Sequence, residues 1–503
     1  MKKFLNRKVG VIALLMVVAF APLVLRKGEV VSPGSADETL VVMTPHNETI
    51  RREFAEAFNA YWKAKTGKTV YVDWRTPGGT SEIRMVLDSS FKSAEERLGP
   101  DAGIGVDVFF GGGDYIFGKM AERGRFVKLK VFEDHKSWFE GEKGIPQTFT
   151  GETYFDTENR WVGVCLARFG ICYNTDGLKR IGVDPPVTWD DLGDPKYFGH
   201  LALADPTKSG SVARAFEMLV QEKIHVELSR LKREPGETEA DRRARASRIG
   251  WAKGLNLIQR ISANARYFTD AATKIPHDVA QGDAVAGMCV DFYGRTYNEK
   301  LKQPDGSSRV QWMSPASGSS TSVDPVAVFR GAPNPDLAQA FVEFLLSEQG
   351  QVLWNKKPGS KNGPKHQALR RLPVRPDVYT KENLADFTDP EVLPYVNKGE
   401  FTYEAELTGP AFTALRMIIR AMCIDVHDEL KSSWYTLAEN GFPPRATAHF
   451  HDVANVSYDR TMAEIRQQVS VGKKIDTTTM ATRLAATFRR NYAEAARLAR
   501  AKQ

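Results

Sequence analysis

Along this sequence one unit keeps returning: a short apolar strand, a turn rich in Gly, Ser, Thr or Asp, then an amphipathic helix. Residues 39–43 read as the first strand, 44–48 as its turn, and 50–64 as a helix carrying Phe54, Phe58, Tyr61 and Trp62 on one face. The unit repeats with a strand at 69–74, a turn at 77–81 and a helix from near Glu82. It repeats again with a strand at 107–110, a turn at 111–114 and a helix ending near Arg123. Consecutive units of this kind point to a parallel α/β sheet. Further along, residues 161–167 and 169–174 read as two strands, and 199–205 as a strand leading through a turn at 206–211 into a helix. Last, a turn at 281–283 and an apolar strand at 284–290 precede Asp291, Phe292, Tyr293, Gly294, Arg295, Thr296 and Tyr297. The uninterrupted apolar run is that of a strand buried on both faces.

In open α/β sheets, ligands sit beyond the carboxyl ends of the strands. The turns are therefore where chemistry is expected. Candidates are His46 and Asn47 after the first strand, Thr80 and Ser81 after the second, and Gly112, Gly113 and Asp114 after the third. Ser209, Gly210 and Ser211 hold the equivalent place in the middle of the chain, and Asp291, Tyr293, Arg295 and Tyr297 follow the strand at 284–290. Gly lets backbone approach a ligand closely, and helix N-termini present free N–H groups that suit anions. Each of these residues also has a plainer use. Thr, Ser and Asp can simply cap helices, and Tyr293 with Tyr297 at i and i+4 can pack one helical face.

At 503 residues, two or three domains are expected. The formal charge of +7 comes from Lys and Arg interleaved with Asp and Glu, which argues against a nucleic-acid surface. Lys2, Lys3, Arg7 and Lys8 precede an uncharged stretch at 9–25, the pattern of an export signal. Pro22 is poor for cleavage after Ala21, so residues 1–30 read as a signal peptide or a membrane anchor. The four cysteines, Cys165, Cys172, Cys289 and Cys423, lack the C-x-x-C spacing of zinc or redox sites. In an oxidising compartment they allow three disulfide connectivities, but Cys172 and Cys289 each sit in an apolar strand-like run, and buried thiols are expected over a bridge. A charged stretch at 222–250 reads as a solvated helical hairpin, and residues 380–503 as a helical C-terminal extension without visible chemistry.

The order of short motifs resembles the type II solute-binding proteins of ABC importers, the group that includes ferric-ion, phosphonate, sugar-phosphate, thiamine and polyamine binders. The pieces are LVVMTPH at 40–46, GGTSE at 78–82, VDVFFGGG at 106–113, YNTDGL at 173–178, TKSGS at 207–211 and VAQGD at 279–283. The resemblance implies a two-lobed periplasmic-binding-protein type II fold. Lobe one would take residues 39–160 and 304–379, and lobe two 161–303. It also implies an extracytoplasmic, monomeric protein that closes on a small-molecule solute and delivers it to a membrane permease, with no cofactor, no resident metal and no catalysis. In ferric-ion members a His, a carboxylate and a Tyr-Tyr pair hold the metal. Here His46 fits the first place, but the carboxylate place falls at 111–113 and the pair reads Phe292-Tyr293. A phosphorylated or zwitterionic organic ligand is the alternative the sequence favours. Thr80, Ser81, Ser209 and Ser211 would bond its anionic end, Arg295 would add charge, and Asp114 or Asp291 would pair with an amine. A membrane-anchored sensor or scaffold, or an enzyme on the same fold, stays open as a different class of function.

Overall fold

In the computed structural model, which describes residues 32–396, 401–471 and 474–501 together with Met16, the early strand-turn-helix units form a parallel sheet. The segment expected as a signal or anchor otherwise lies outside the described residues. The chain runs β1 (Glu38–Met43), α1 (Glu48–Thr66), β2 (Val70–Arg75), α2 (Thr80–Leu98), β3 (Val108–Phe110) and α3 (Asp114–Glu122). β1 lies between β2 and β3, parallel to both. Helix α1 starts because Asn47 Oδ1 accepts the Ile50 N–H at 3.0 Å, and it stops at Gly67, whose backbone is left-handed. The face it buries carries Phe54 and Phe58.

The two strands expected at 161–167 and 169–174 are one strand of 13 residues, β4 (Val162–Asn174). Arg168, which interrupts the apolar run, sits where the strand changes neighbours, and its Nη2 donates to the Ser319 carbonyl at 3.3 Å. After β4 come β5 (Leu201–Ala204), α4 (Gly210–Arg230), α5 (Glu239–Asn264), β6 (Ala265–Thr269), α6 (Lys274–Gln281), β7 (Ala286–Val290), α7 (Asp291–Lys300), β8 (Val310–Met313), β9 (Thr321–Val328) and α8 (Pro335–Leu346). Helices α4 and α5 make the expected hairpin, with Thr238 and Asp241 forming a capping box at the start of α5.

Strand order is β2-β1-β3-β9-β4-β7-β5-β6, with β8 also on β4. From Val162 to Arg168, β4 pairs antiparallel with β9; from Phe169 to Tyr173 it pairs antiparallel with β7. One strand thus belongs to two halves of the molecule, and each half has its own core. Phe54, Phe91, Phe110 and Trp354 centre the first. Trp189, Phe216, Trp251 and Ile258 centre the second.

Two boundaries differ from the sequence reading. β8, placed in lobe one by the Pro304-Asp305-Gly306 signal, pairs with the lobe-two half of β4, and Val310 packs in the second core. That Pro-Asp-Gly stretch is a tight turn inside lobe two, closed by the Gln303 N–H donating to Ser307 O at 2.7 Å. The chain returns to lobe one only between β8 and β9. The C-terminal helices differ more. α9 (Phe412–Ile419), α10 (His427–Glu439), α11 (Pro444–Phe450) and α12 (Lys474–Arg500) share the second core with Trp251 and Ile258. The stretch Ala405–Ile424 is long and apolar enough to cross a bilayer, yet 72% of its apolar window is buried within the fold. On the covered face of α5, Gln259 Nε2 donates to Phe450 O at 3.0 Å and to the Tyr492 hydroxyl at 3.1 Å. The extension therefore completes lobe two. All four cysteines are free and buried.

Because Phe450 is fully buried where α11 meets α5 and α12, Phe450→Ala should lower the unfolding free energy by about 3–5 kcal/mol, read from urea denaturation. A loss under about 1 kcal/mol would mean that the extension is not core. Two buried histidines carry a second prediction. Burial pulls His46 down to about 3 and His451 down to about 4. The unfolded chain takes up these protons near the ordinary value of about 6.5, whereas the native state refuses them until far lower pH. Their contribution is thus intact above pH ~6.5 and is lost as pH falls toward the native values, by at most about 1.4 kcal/mol per pH unit for each. Thermal midpoints of the His46→Gln, His451→Gln double variant should fall less between about pH 7 and 5 than those of the parent.

Candidate functional site

The first four strand ends named in the sequence, together with the end of β7, converge on a cavity of about 160 Å³ between the lobes. Lobe one contributes His46, Thr80, Ser81, Gly112, Gly113 and Asp114; lobe two contributes Gly210, Ser211 and Tyr293. The glycines at the end of β3 are there for conformational reasons. Gly111, Gly112 and Gly113 have φ of 83°, 119° and 83°, a run that side chains rarely adopt. A Cβ on Gly111 would lie 2.5 Å from His46 Nε2. His46 is packed edge-on against Phe110 at 4.5 Å, and its Nε2 has no hydrogen-bond partner. It is neutral at physiological pH.

The helix starts facing the cavity are sparsely capped. α2 begins after Gly79, and α3 after Gly113, with no side-chain cap on either. α4 is capped by Ser209, whose Oγ accepts the Val212 N–H at 3.4 Å. The α2 and α4 starts touch across the cleft: a Cβ on Gly210 would sit 3.4 Å from the Thr80 Cβ. The N–H groups of Gly112 and Gly113 are already used. Both donate to Asp324 Oδ1 at 3.1 Å. Asp324 lies at a bulge where the β9–β4 register shifts ahead of Pro325, which aims its carboxylate into the cleft. Its other oxygen pairs with Arg371 at 2.5 Å. Burial would raise the Asp324 pKa, but Arg371 reverses this and holds it at about 2.

Five residues named from the sequence do not line the cavity. Asn47 and Ser209 are caps, although the Asn47 amide reaches Tyr293, where it opposes the burial that pushes that phenol up to about 12. Asp291 is buried, accepting from the Phe292 N–H at 2.8 Å and pairing with Arg295 at 2.9 Å. Arg295 also donates to the Arg370 carbonyl at 2.9 Å and lies 3.4 Å from Asp389, so both charges are spent on joining α7 to the segment beyond α8. Tyr297 turns to the other side of α7, beside His277 and Lys300.

The sequence reading missed Arg84, Arg214, Asp324, Arg371, Phe412 and Arg416, all of which line the cavity. Arg214 pairs with Glu152 at 2.5 Å and Glu217 at 2.7 Å, with Asp114 at 3.7 Å. Arg416 is different. Its guanidinium donates to Pro206 O at 2.6 Å, to Thr207 O at 2.9 Å and to the Ser81 hydroxyl. Burial pulls it down to about 10, and it stays charged at neutral pH. Its sequence signal was a lone charge inside the apolar run at 412–419. Chemically, the cavity offers cations, hydroxyls and helix N-termini together with the aromatic rings of Phe292, Tyr293 and Phe412.

Residues 105–369, more than half of the chain, match the family model described as bacterial extracellular solute-binding protein. The chain is 23% identical over 313 residues to the phosphoglycerate transport regulatory protein PgtC of Salmonella typhimurium, covering 61% of this chain and 67% of the relative. It is 23% identical over 322 residues to iron uptake protein A1 of Synechocystis, covering 60% and 80%. Among solved structures, the periplasmic binding protein AfuA from Actinobacillus pleuropneumoniae, with fructose-6-phosphate bound, matches at 18% identity and a TM-score of 0.49, covering 68% and 86%. The two-lobed α/β fold, the cavity between its lobes and the match across both lobes place this chain in the bacterial extracellular solute-binding protein family.

Proposed function

We propose that this protein captures a small organic solute bearing a phosphoryl or similar oxyanion group between its lobes, outside the cytoplasm, and presents it to an ABC-type membrane permease. The observation that carries this reading is the meeting of α2 and α4 at one cavity, helix start to helix start from opposite lobes. Free N–H groups and the positive ends of two helices favour an anion at that place. Thr80, Ser81 and Ser211 add hydroxyls, and half-buried Arg84 adds a cation. Tyr293 and Phe292 would hold the apolar or sugar-like remainder. A ligand that touches both lobes stabilises only the state in which both contacts exist, so binding shifts the population toward closure. Capture of this kind needs no covalent step, and the protein would act as a monomer without nucleic acid. The name of the Salmonella relative supports a phosphorylated solute.

The iron-uptake relative makes ferric ion the second reading. Ferric ion calls for several anionic oxygen donors. Among the described residues no three His, Cys, Asp or Glu side chains gather as a metal site. Phe292 replaces one phenolate, and Asp114 faces Arg214. Calorimetry with 3-phosphoglycerate, fructose 6-phosphate, an aminoalkylphosphonate and ferric citrate separates the two. Saturable binding of at least one organic phosphate and none of iron is expected. Iron retention with no response to any organic phosphate would reverse the assignment.

A further inference from the structure

Helix α9 reaches the cleft from the C-terminal extension that completes lobe two. Its apolar face, including Leu415, Ile418 and Ile419, is buried in the lobe-two core. Its opposite face touches lobe one: Thr413 Oγ1 lies 2.9 Å from the Tyr115 hydroxyl, and the Phe412 and Tyr115 rings are 4.9 Å apart. Between these contacts Arg416, only 7% exposed, points into the cavity beside Ser81. Arg214 and Arg371 are each matched by a carboxylate at 2.5 Å. Among the described residues neither Arg416 nor Arg84 forms an ion pair with a carboxylate; at longer range Arg84 disfavours the Arg416 charge, and Asp205 and Glu82 offset this only in part. Burying a cation without a counter-ion costs free energy unless an anion arrives to offset it. The two guanidiniums share the cavity with the α2 N-terminus, and the buried His46 Nε2 in its wall lacks a partner.

We infer that Arg416, carried in by the C-terminal extension, joins Arg84 in reading the doubly charged end of a phosphoryl ligand. Bound oxyanion would take over the hydrogen bonds that Arg416 now gives to Ser81, with the Pro206 and Thr207 carbonyls keeping the guanidinium in place. The bonds from α9 to Tyr115 and Ser81 join the two lobes, so the extension takes part in closure as well as in recognition. This inference rests on the phosphoryl reading and adds the residue that sets its charge preference.

Arg416→Gln, Arg416→Lys and Arg84→Gln in the full-length chain test it, with 3-phosphoglycerate, fructose 6-phosphate, an aminoalkylphosphonate and inorganic phosphate as probes. Removing one side of a desolvated charge pair should weaken binding about 30-fold or more, with Lys recovering part of the loss. The parent should bind more tightly as pH rises from about 5.5 to 7.5, through the second phosphate ionisation near 6. In Arg416→Gln that rise should flatten, which a merely structural role would not produce. If the parent binds a probe and Arg416→Gln binds it equally with the same pH profile, the inference is overturned while the phosphoryl reading stands. If the parent binds none, both fall. Should Arg416→Gln fail to fold by circular dichroism, Arg84→Gln decides, since Arg84 makes no hydrogen bond or ion pair among the described residues. An unchanged affinity there would also reject the pair.

Discussion

The backbone hydrogen bonds of β4 hold the molecule together. The same 13 residues pair with β9 in one lobe and with β7 and β8 in the other. The shared strand keeps the lobes attached, and the point near Arg168 where it changes partners is where the proposed closure would bend it. A shared strand of this sort converts what would be domain dissociation into a hinge. It also fixes the cleft, because every helix start that faces the cavity is set by a strand hydrogen-bonded, directly or through neighbours, to β4.

Several interior arginines are matched by carboxylates. Arg214 sits among Glu152, Glu217 and Asp114. Arg371 holds Asp324, and Arg295 holds Asp291 and Asp389. Such matched sets are costly to break and define one arrangement of the elements that carry them. At the α2 and α4 starts the Arg84 and Arg416 guanidiniums stand among hydroxyls and N–H groups without an ion pair among the described residues. Under the proposed reading this is the part of the wall that would receive a negative ligand, while the paired Arg214 and Arg371 beside it hold the surrounding elements. The Gly111–Gly113 turn illustrates the difference: a glycine turn at a strand end offers N–H groups to a ligand, but Asp324 has taken those of Gly112 and Gly113, and the Pro325 carbonyl that of Gly111.

Much of this was legible in the residues themselves. Local signals set the first three strand-turn-helix units, since apolar spacing and turn chemistry act within a few positions of one another. The turns could be named for the same reason, and nine of their residues line one cavity. What stayed hidden depends on contacts distant along the chain. Asp324 and Arg371 come from segments on either side of α8, and no local pattern says that one will cap the turn after β3. Arg295 looked like a ligand group although Asp291, four residues earlier, pairs with it, because its second partner Asp389 lies far along the chain. Arg168 looked like a break between two strands because its carbonyl partner at Ser319 is equally remote. The extension showed helical faces clearly, but a helix face does not disclose which core it will cover.

That the C-terminal helices finish the second core has a practical corollary for anyone wishing to follow the molecule by fluorescence. A dye or reporter domain fused beyond α12 would be attached to packed architecture and would sense its neighbours there. The tip between α4 and α5, where Pro235 and Gly236 are exposed, lies on the hairpin and outside the cavity lining. Label placed at that bend would ride on lobe two as a rigid passenger, leaving the gap between the halves unobstructed.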